Sequence, residues 1–162
     1  MSNKSYLSAQ QKQKFLEREE MYCRTLETDK RHEKLFAPFG ISFTVYRVLT
    51  YLLTHDGVAA PSQMADELVI LRTNMTNLLN SLEKNGMVER TMDPEDRRRV
   101  TVQLLPAGEE LALKVFEEES RYGMRIAAHI SEEESREYHR LERRMYEAKV
   151  AALNDILSER EG

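Results

Sequence analysis

Between Arg72 and Asn85 the chain places Met75, Leu78, Leu79 and Leu82 at i, i+3, i+4 and i+7, and Gly86 follows as a natural stop. That spacing predicts a short amphipathic helix with one apolar stripe. The period then changes: Met87-Val88-Glu89-Arg90 and Val100-Thr101-Val102-Gln103-Leu104 alternate or are β-rich, and Asp93-Pro94-Glu95-Asp96 lies between them. A helix that hands over at once to a hairpin with a charged tip restricts the fold to a small set.

The flanks narrow it further. From Ser8 to about Phe36 the residues are helix formers without Pro or Gly, with Phe15, Leu16, Tyr22 and Leu26 near helical intervals, so one long charged helix is expected. Ala37-Pro38-Phe39-Gly40 breaks it. Ser42 stands as N-cap ahead of Val45, Leu49, Leu52 and Leu53, and His55-Asp56-Gly57 ends that second helix. Pro61-Ser62 opens a short third helix through Met64, Ala65 and Leu68. Beyond the hairpin, Pro106 starts a helix to about His129, and Ser131 with Glu134 forms a capping box for a last helix to about Ser158. In that helix Tyr138, Leu141, Met145, Ala148, Ala152 and Ile156 recur every three or four positions, an apolar seam that one small domain does not cover. The order is a long helix, three short helices, a charged hairpin and two long helices. The fold expected is mainly α with a small β-hairpin, a winged helix-turn-helix flanked by long N- and C-terminal helices.

Composition sets the outer bounds. At 162 residues, with 41% hydrophobic and 32% charged residues, 6 Gly and 4 Pro, the chain reads as a helix-rich protein with room for one ordinary core. No apolar run approaches the roughly 18 residues that cross a bilayer, and the N-terminus lacks a signal-peptide core, so a cytoplasmic protein without a membrane partner is expected. The net charge of -4 runs against nucleic-acid binding taken over the whole chain. What a phosphate backbone feels is the field within about one Debye length, ~8 Å, so local arrangement decides.

Two local arrangements matter. Opposite the Met75/Leu78/Leu79/Leu82 stripe the fourth helix carries Thr73, Asn74, Thr76, Asn77, Asn80 and Ser81, with Arg72 at its start. Asn pairs bidentately with adenine and Thr touches a thymine methyl, whereas a face kept only for solubility more often carries Glu and Lys. An ordinary solvated face is the competing reading. In the hairpin, Arg97-Arg98-Arg99 follows the acidic tip, where arginines suit a narrow minor groove and Asp96 can hold one extended. There the competing reading is a solvated turn whose charges cancel.

Together these stretches resemble the MarR family from about Ile41 to Leu111. The matching residues are Leu68, then Leu78 to Arg90 including "LEKNGMVER", then Asp93-Pro94-Glu95-Asp96-Arg97-Arg98, then Leu104 and Gly108. The resemblance implies a bacterial transcriptional regulator that binds double-stranded DNA as a homodimer. Residues 41–105 form its DNA-binding domain, and residues 1–36 and 106–162 its dimerisation region, with Tyr138, Leu141, Met145, Ala152 and Ile156 on the dimer seam. Arg98 is then the minor-groove arginine, braced by Asp96. The resemblance also implies a small amphipathic effector in a cleft beside the dimerisation helices. Tyr22, Tyr46, Tyr51, Tyr122 and Met124 are candidate linings, although such residues at helical spacing also build cores. Three departures stand out: Leu71 replaces a small capping residue, Asn77 an arginine, and Leu105-Pro106 a Leu-Thr pair. The loss of a cation at Asn77 lowers nonspecific affinity or shifts readout towards adenine.

Enzyme signatures are absent: there is no G-x-S-x-G, Walker loop or G-x-G-x-x-G. His32, His55, His129 and His139 lack ligand spacing, so neither a metal nor a resident cofactor is expected. Two other readings stay open at this level. One is a winged-helix protein-interaction module without DNA binding, prompted by the acidic charge and by Asn77. The other is a thiol switch at Cys23, the single cysteine, against which stands an inert helix cysteine.

Overall fold

A computed structural model describes residues 7–92 and 100–161. The elements run α1 (Ala9–His32), α2 (Phe43–Thr54), β1 (Val58–Ala59), α3 (Pro61–Glu67), α4 (Arg72–Lys84), β2 (Val88–Met92), β3 (Val100–Leu104), α5 (Pro106–Ala127) and α6 (Glu132–Glu161). This is the mainly helical winged helix-turn-helix expected, with one addition. The hairpin is part of a three-stranded antiparallel sheet in the order β1-β3-β2, with Val58 opposite Gln103, Ala59 opposite Val102 and Arg90 also opposite Val102. Two residues of strand show no alternation to read, and β1 exists because β3 pairs with it.

Local chemistry sets most boundaries. The Ser8 side chain accepts from Gln11 N–H and the Gln11 side chain accepts from Ser8 N–H, so α1 starts on a capping box. Ser42 caps α2 by accepting from Val45 N–H at 3.3 Å, and Ser131 accepts from Glu134 N–H at 3.2 Å to start α6. The first helix stops at His32, four residues earlier than its composition suggests. Two 3₁₀ turns, Glu33–Leu35 and Ala37–Phe39, carry the chain to Gly40. The cause is tertiary: Phe36 is fully buried and meets the rings of His32, Phe43 and Tyr46 at 5.3, 5.3 and 5.5 Å, a contact a continuous helix need not make.

The chain divides after Glu117 into two units. In the first, one core gathers Val48, Leu49 and Leu52 of α2, Met64 of α3, Met75, Leu79 and Leu82 of α4, and Val88 and Val102 of the sheet. A second cluster holds Phe36, Tyr46 and Val115. Gly108 marks a close approach, since a Cβ there would lie 2.3 Å from the Met87 carbonyl oxygen, so the start of α5 sits tight against the entry to β2. In the second unit, α6 presents a solvent-exposed apolar series that includes Tyr138, Leu141, Met145, Leu153 and Ile156.

Candidate nucleic-acid interface

The α3–turn–α4 segment is built to hold one helix face outward. Met75, Leu79 and Leu82 are buried and Leu78 half-buried, so the apolar stripe of α4 is spent on the core. At 100° per residue the opposite direction falls on Thr73, Asn77 and Lys84, with Asn80 on one flank and Asn74 and Ser81 on the other. All six are exposed. The turn before α4 is fixed by backbone bonds, Ile70 N–H to Ala65 C=O at 2.8 Å and Val69 N–H to Asp66 C=O at 3.3 Å. Arg47 of α2 secures it from outside by donating to the Leu68 carbonyl at 2.9 Å.

The residues named from sequence are thereby sorted. Thr73, Asn74 and Asn77 are exposed, and among the described residues no hydrogen bond engages their side chains. Arg72, at the edge of the face, sits 3.3 Å from the Asp66 carboxylate. The Thr76 hydroxyl donates to the Arg72 carbonyl at 3.0 Å. Asn80 Oδ1 accepts from Arg90 Nη2, and Glu83 accepts from Arg90 N–H at 3.1 Å and ion-pairs with its guanidinium at 3.2 Å. This joint fixes β2, the first strand of the hairpin, to the C-terminal half of α4. Asn80 therefore braces the hairpin as well as flanking the face. Asp96, Arg97, Arg98 and Arg99 lie outside the described residues.

Sequence reasoning left out Lys84, Arg47 and Arg90. Lys84 was legible, since it stands on the Thr73/Asn77 line. Arg47 borders an open hollow between α2 and α4 with Ser42, Thr44, Asn74, Asn77 and Ser81. Its signal was faint: it is the one charged residue in FTVYRVLTYLLT. Behind the interface, the Tyr51 hydroxyl donates to Glu67 at 2.7 Å and Gln63 donates to the same carboxylate at 3.0 Å, tying α2 to α3. The Tyr51 bond, then that from Gln63, hold the Glu67 carboxyl below its ordinary pKa, while burial and the neighbouring carboxylate raise that of Tyr51.

The remaining expectations also divide. Tyr46 and Tyr51 are core residues, whereas Tyr22 and Met124 are exposed and Tyr122 half-buried. Cys23 is exposed on α1. Tyr138, Leu141, Met145, Ala152 and Ile156 are all exposed on α6. Among the described residues no three His, Cys, Asp or Glu side chains are arranged to hold a metal, and no single helix is long and apolar enough to cross a membrane.

A MarR family model matches residues 39–99, the span from the end of the second 3₁₀ turn through α2, β1, α3, α4 and β2. The HTH-type transcriptional regulator PrsX of Escherichia coli is 31% identical over 121 residues, 74% of this chain and 70% of that protein. The chain belongs to the MarR family. Solved MarR-type structures share its fold. A DNA complex of Staphylococcus aureus MepR superposes with a TM-score of 0.71 at 22% identity, covering 79% of this chain and 94% of MepR. A MarR family protein from Bacillus stearothermophilus gives 0.65 at 21% identity, over 86% and 97% of the two chains. Membership makes the chain a transcriptional regulator and not an enzyme.

Proposed function

We propose that this MarR-family chain regulates transcription by binding a pseudo-palindromic duplex site as a homodimer, with α4 of each subunit in a major groove. The observation that carries this reading is the outward face of α4, where Thr73, Asn74 and Asn77 are exposed and unengaged while the opposite face is locked into the core. Such a face presents donors and acceptors at fixed positions with little reorganisation on binding, which is what base-edge readout needs. Arg47 at its border and Lys84 at its C-terminal end supply cations for phosphates. That the related MepR structure was solved with DNA supports the same use of the shared fold.

In this reading residues 41–105 carry DNA binding. The wing adds Arg97, Arg98 and Arg99 to the minor groove, Arg98 making the deepest contact and Asp96 bracing it. Residues 1–36 and 106–162 make the dimer, with the Tyr138/Leu141/Met145/Ala152/Ile156 seam covered by a second copy. Two-fold symmetry then requires half-sites about one helical turn apart, ~10 bp centre to centre.

Selection from a random-sequence duplex pool by the purified protein tests the proposal. Enrichment of a symmetric motif with that spacing is expected. Recovery of a pool indistinguishable from the input, at a salt concentration where the protein is folded and dimeric, would contradict it and favour a protein-interaction module.

A further inference from the structure

The turn that leads into α4 packs Leu68 and Ile70 against the core and leaves its other two apolar side chains outside. Val69 is 90% exposed and Leu71 72% exposed, on either side of the half-buried Ile70. Val69 also sits at φ 55°, in the left-handed region that β-branched residues strongly disfavour and that glycine or asparagine adopts readily. Leu71 occupies the N-cap of α4, and no side-chain hydrogen bond caps the helix there. At both positions a residue better for the free protein's stability is easy to name. Two large apolar side chains held in water, one of them on strained backbone, point to a contact made outside the free chain.

Their location says which contact. Leu71 directly precedes Arg72, Thr73 and Asn74, and the hollow lined by Asn74 and Asn77 is lined also by Val69 and Leu71. The pair therefore continues the polar face of α4 across its N-terminal end, the part of a recognition helix that approaches base edges. In the major groove one base edge is apolar, the C5-methyl group of thymine. Lipid or a protein groove would ask for a wider apolar patch than these two residues, bordered as they are by Arg47, Arg72, Asn74 and Asn77.

We infer that Val69 and Leu71 are specificity-determining residues that read thymine methyl groups at the edge of each half-site, with Leu71 making the principal contact. This inference rests on the proposed DNA reading. The polar face discriminates by hydrogen bonds, and the apolar turn adds discrimination for thymine over cytosine at a neighbouring pair by burying a methyl group from water.

The test uses the full-length protein and the duplex recovered by selection. Each thymine is replaced in turn by deoxyuridine, which removes the methyl group and leaves every hydrogen-bonding atom. At one or two symmetric positions the wild-type protein should lose about fourfold in affinity per methyl removed. Leu71→Ala should bind the thymine and deoxyuridine duplexes equally well, and its salt dependence should match the wild type. Val69→Asn should melt at a higher temperature than wild type while its thymine preference falls, a pairing of effects that a purely structural role does not give. The inference is overturned if the wild type is indifferent to every deoxyuridine, or if Leu71→Ala keeps the full wild-type loss. Failure of the underlying DNA reading looks different, because no enriched duplex would then exist to substitute.

Discussion

The winged core and the terminal helices obey opposite rules. Every buried hydrophobic residue among those described falls between Phe36 and Val115, while α1 and α6, the 24-residue and 30-residue helices, bury none. Both regions carry amphipathic sequence. In the core, apolar stripes meet one another within the chain, and the polar faces they leave are free for recognition. In α6, Tyr138, Leu141, Met145, Leu153 and Ile156 stand 48–63% exposed, although burial of such side chains is worth roughly 1.5–3 kcal/mol each. In the proposed homodimer this contrast separates recognition, which each subunit would complete for itself, from assembly, which a second copy would complete.

The largest expected effect breaks the assembly side. Met145→Lys places a charge in the α6 seam, and light scattering should then report loss of the dimer, with circular dichroism showing reduced helix content. A wild-type protein that is already a stable, folded monomer at micromolar concentration would remove the distinction altogether. A smaller effect belongs to the core. Gly108→Ala sets a methyl group against the Met87 carbonyl and should cost about 1–3 kcal/mol in urea unfolding, leaving the oligomeric state of the folded protein unchanged.

A third effect, smaller again, sharpens the core side through pH. Glu67 is held below its ordinary pKa by the Tyr51 hydroxyl and then by Gln63, so its stabilising contribution is full above the unfolded-state carboxylate pKa. That contribution is lost as the pH falls through the lower folded-state value. Between pH 6 and pH 3, on the order of the carboxylate range, the wild type should therefore lose more melting temperature than Glu67→Gln does. Equal losses would mean that the Tyr51–Glu67 tie adds nothing to the packing of α2 on α3.

The same contrast explains what the sequence made legible. Short-range signals held wherever the physics is local: Ser42, Pro61, Gly86, Pro106 and the Ser131–Glu134 box each start or stop a helix where expected. Long-range effects were hidden. Strand β1 depends on β3 more than forty residues away in the chain, and α1 ends early because Phe36 joins an aromatic cluster with Phe43 and Tyr46. The site divides in the same way. Periodicity gave the outward face of α4, but the engagement of Asn80 by Arg90 and the anchoring of the turn by Arg47 are tertiary contacts without a local signature.

In the proposed complex α4 reads bases while the wing supplies charge, and one experiment separates them. Binding of the selected duplex and its single-base variants is titrated across salt concentration for wild type, Asn77→Ala and Arg98→Ala. Asn77→Ala should relax discrimination at one or two symmetric base pairs by about 1–3 kcal/mol per lost bidentate contact, with the salt slope kept. Arg98→Ala removes two cations per dimer, so it should weaken binding to most sequences and reduce the slope of log K against log salt by up to about 2, with preference kept. If Asn77→Ala discriminates among the variants as wild type does, α4 is not the reading element and the proposed division between helix and wing is wrong.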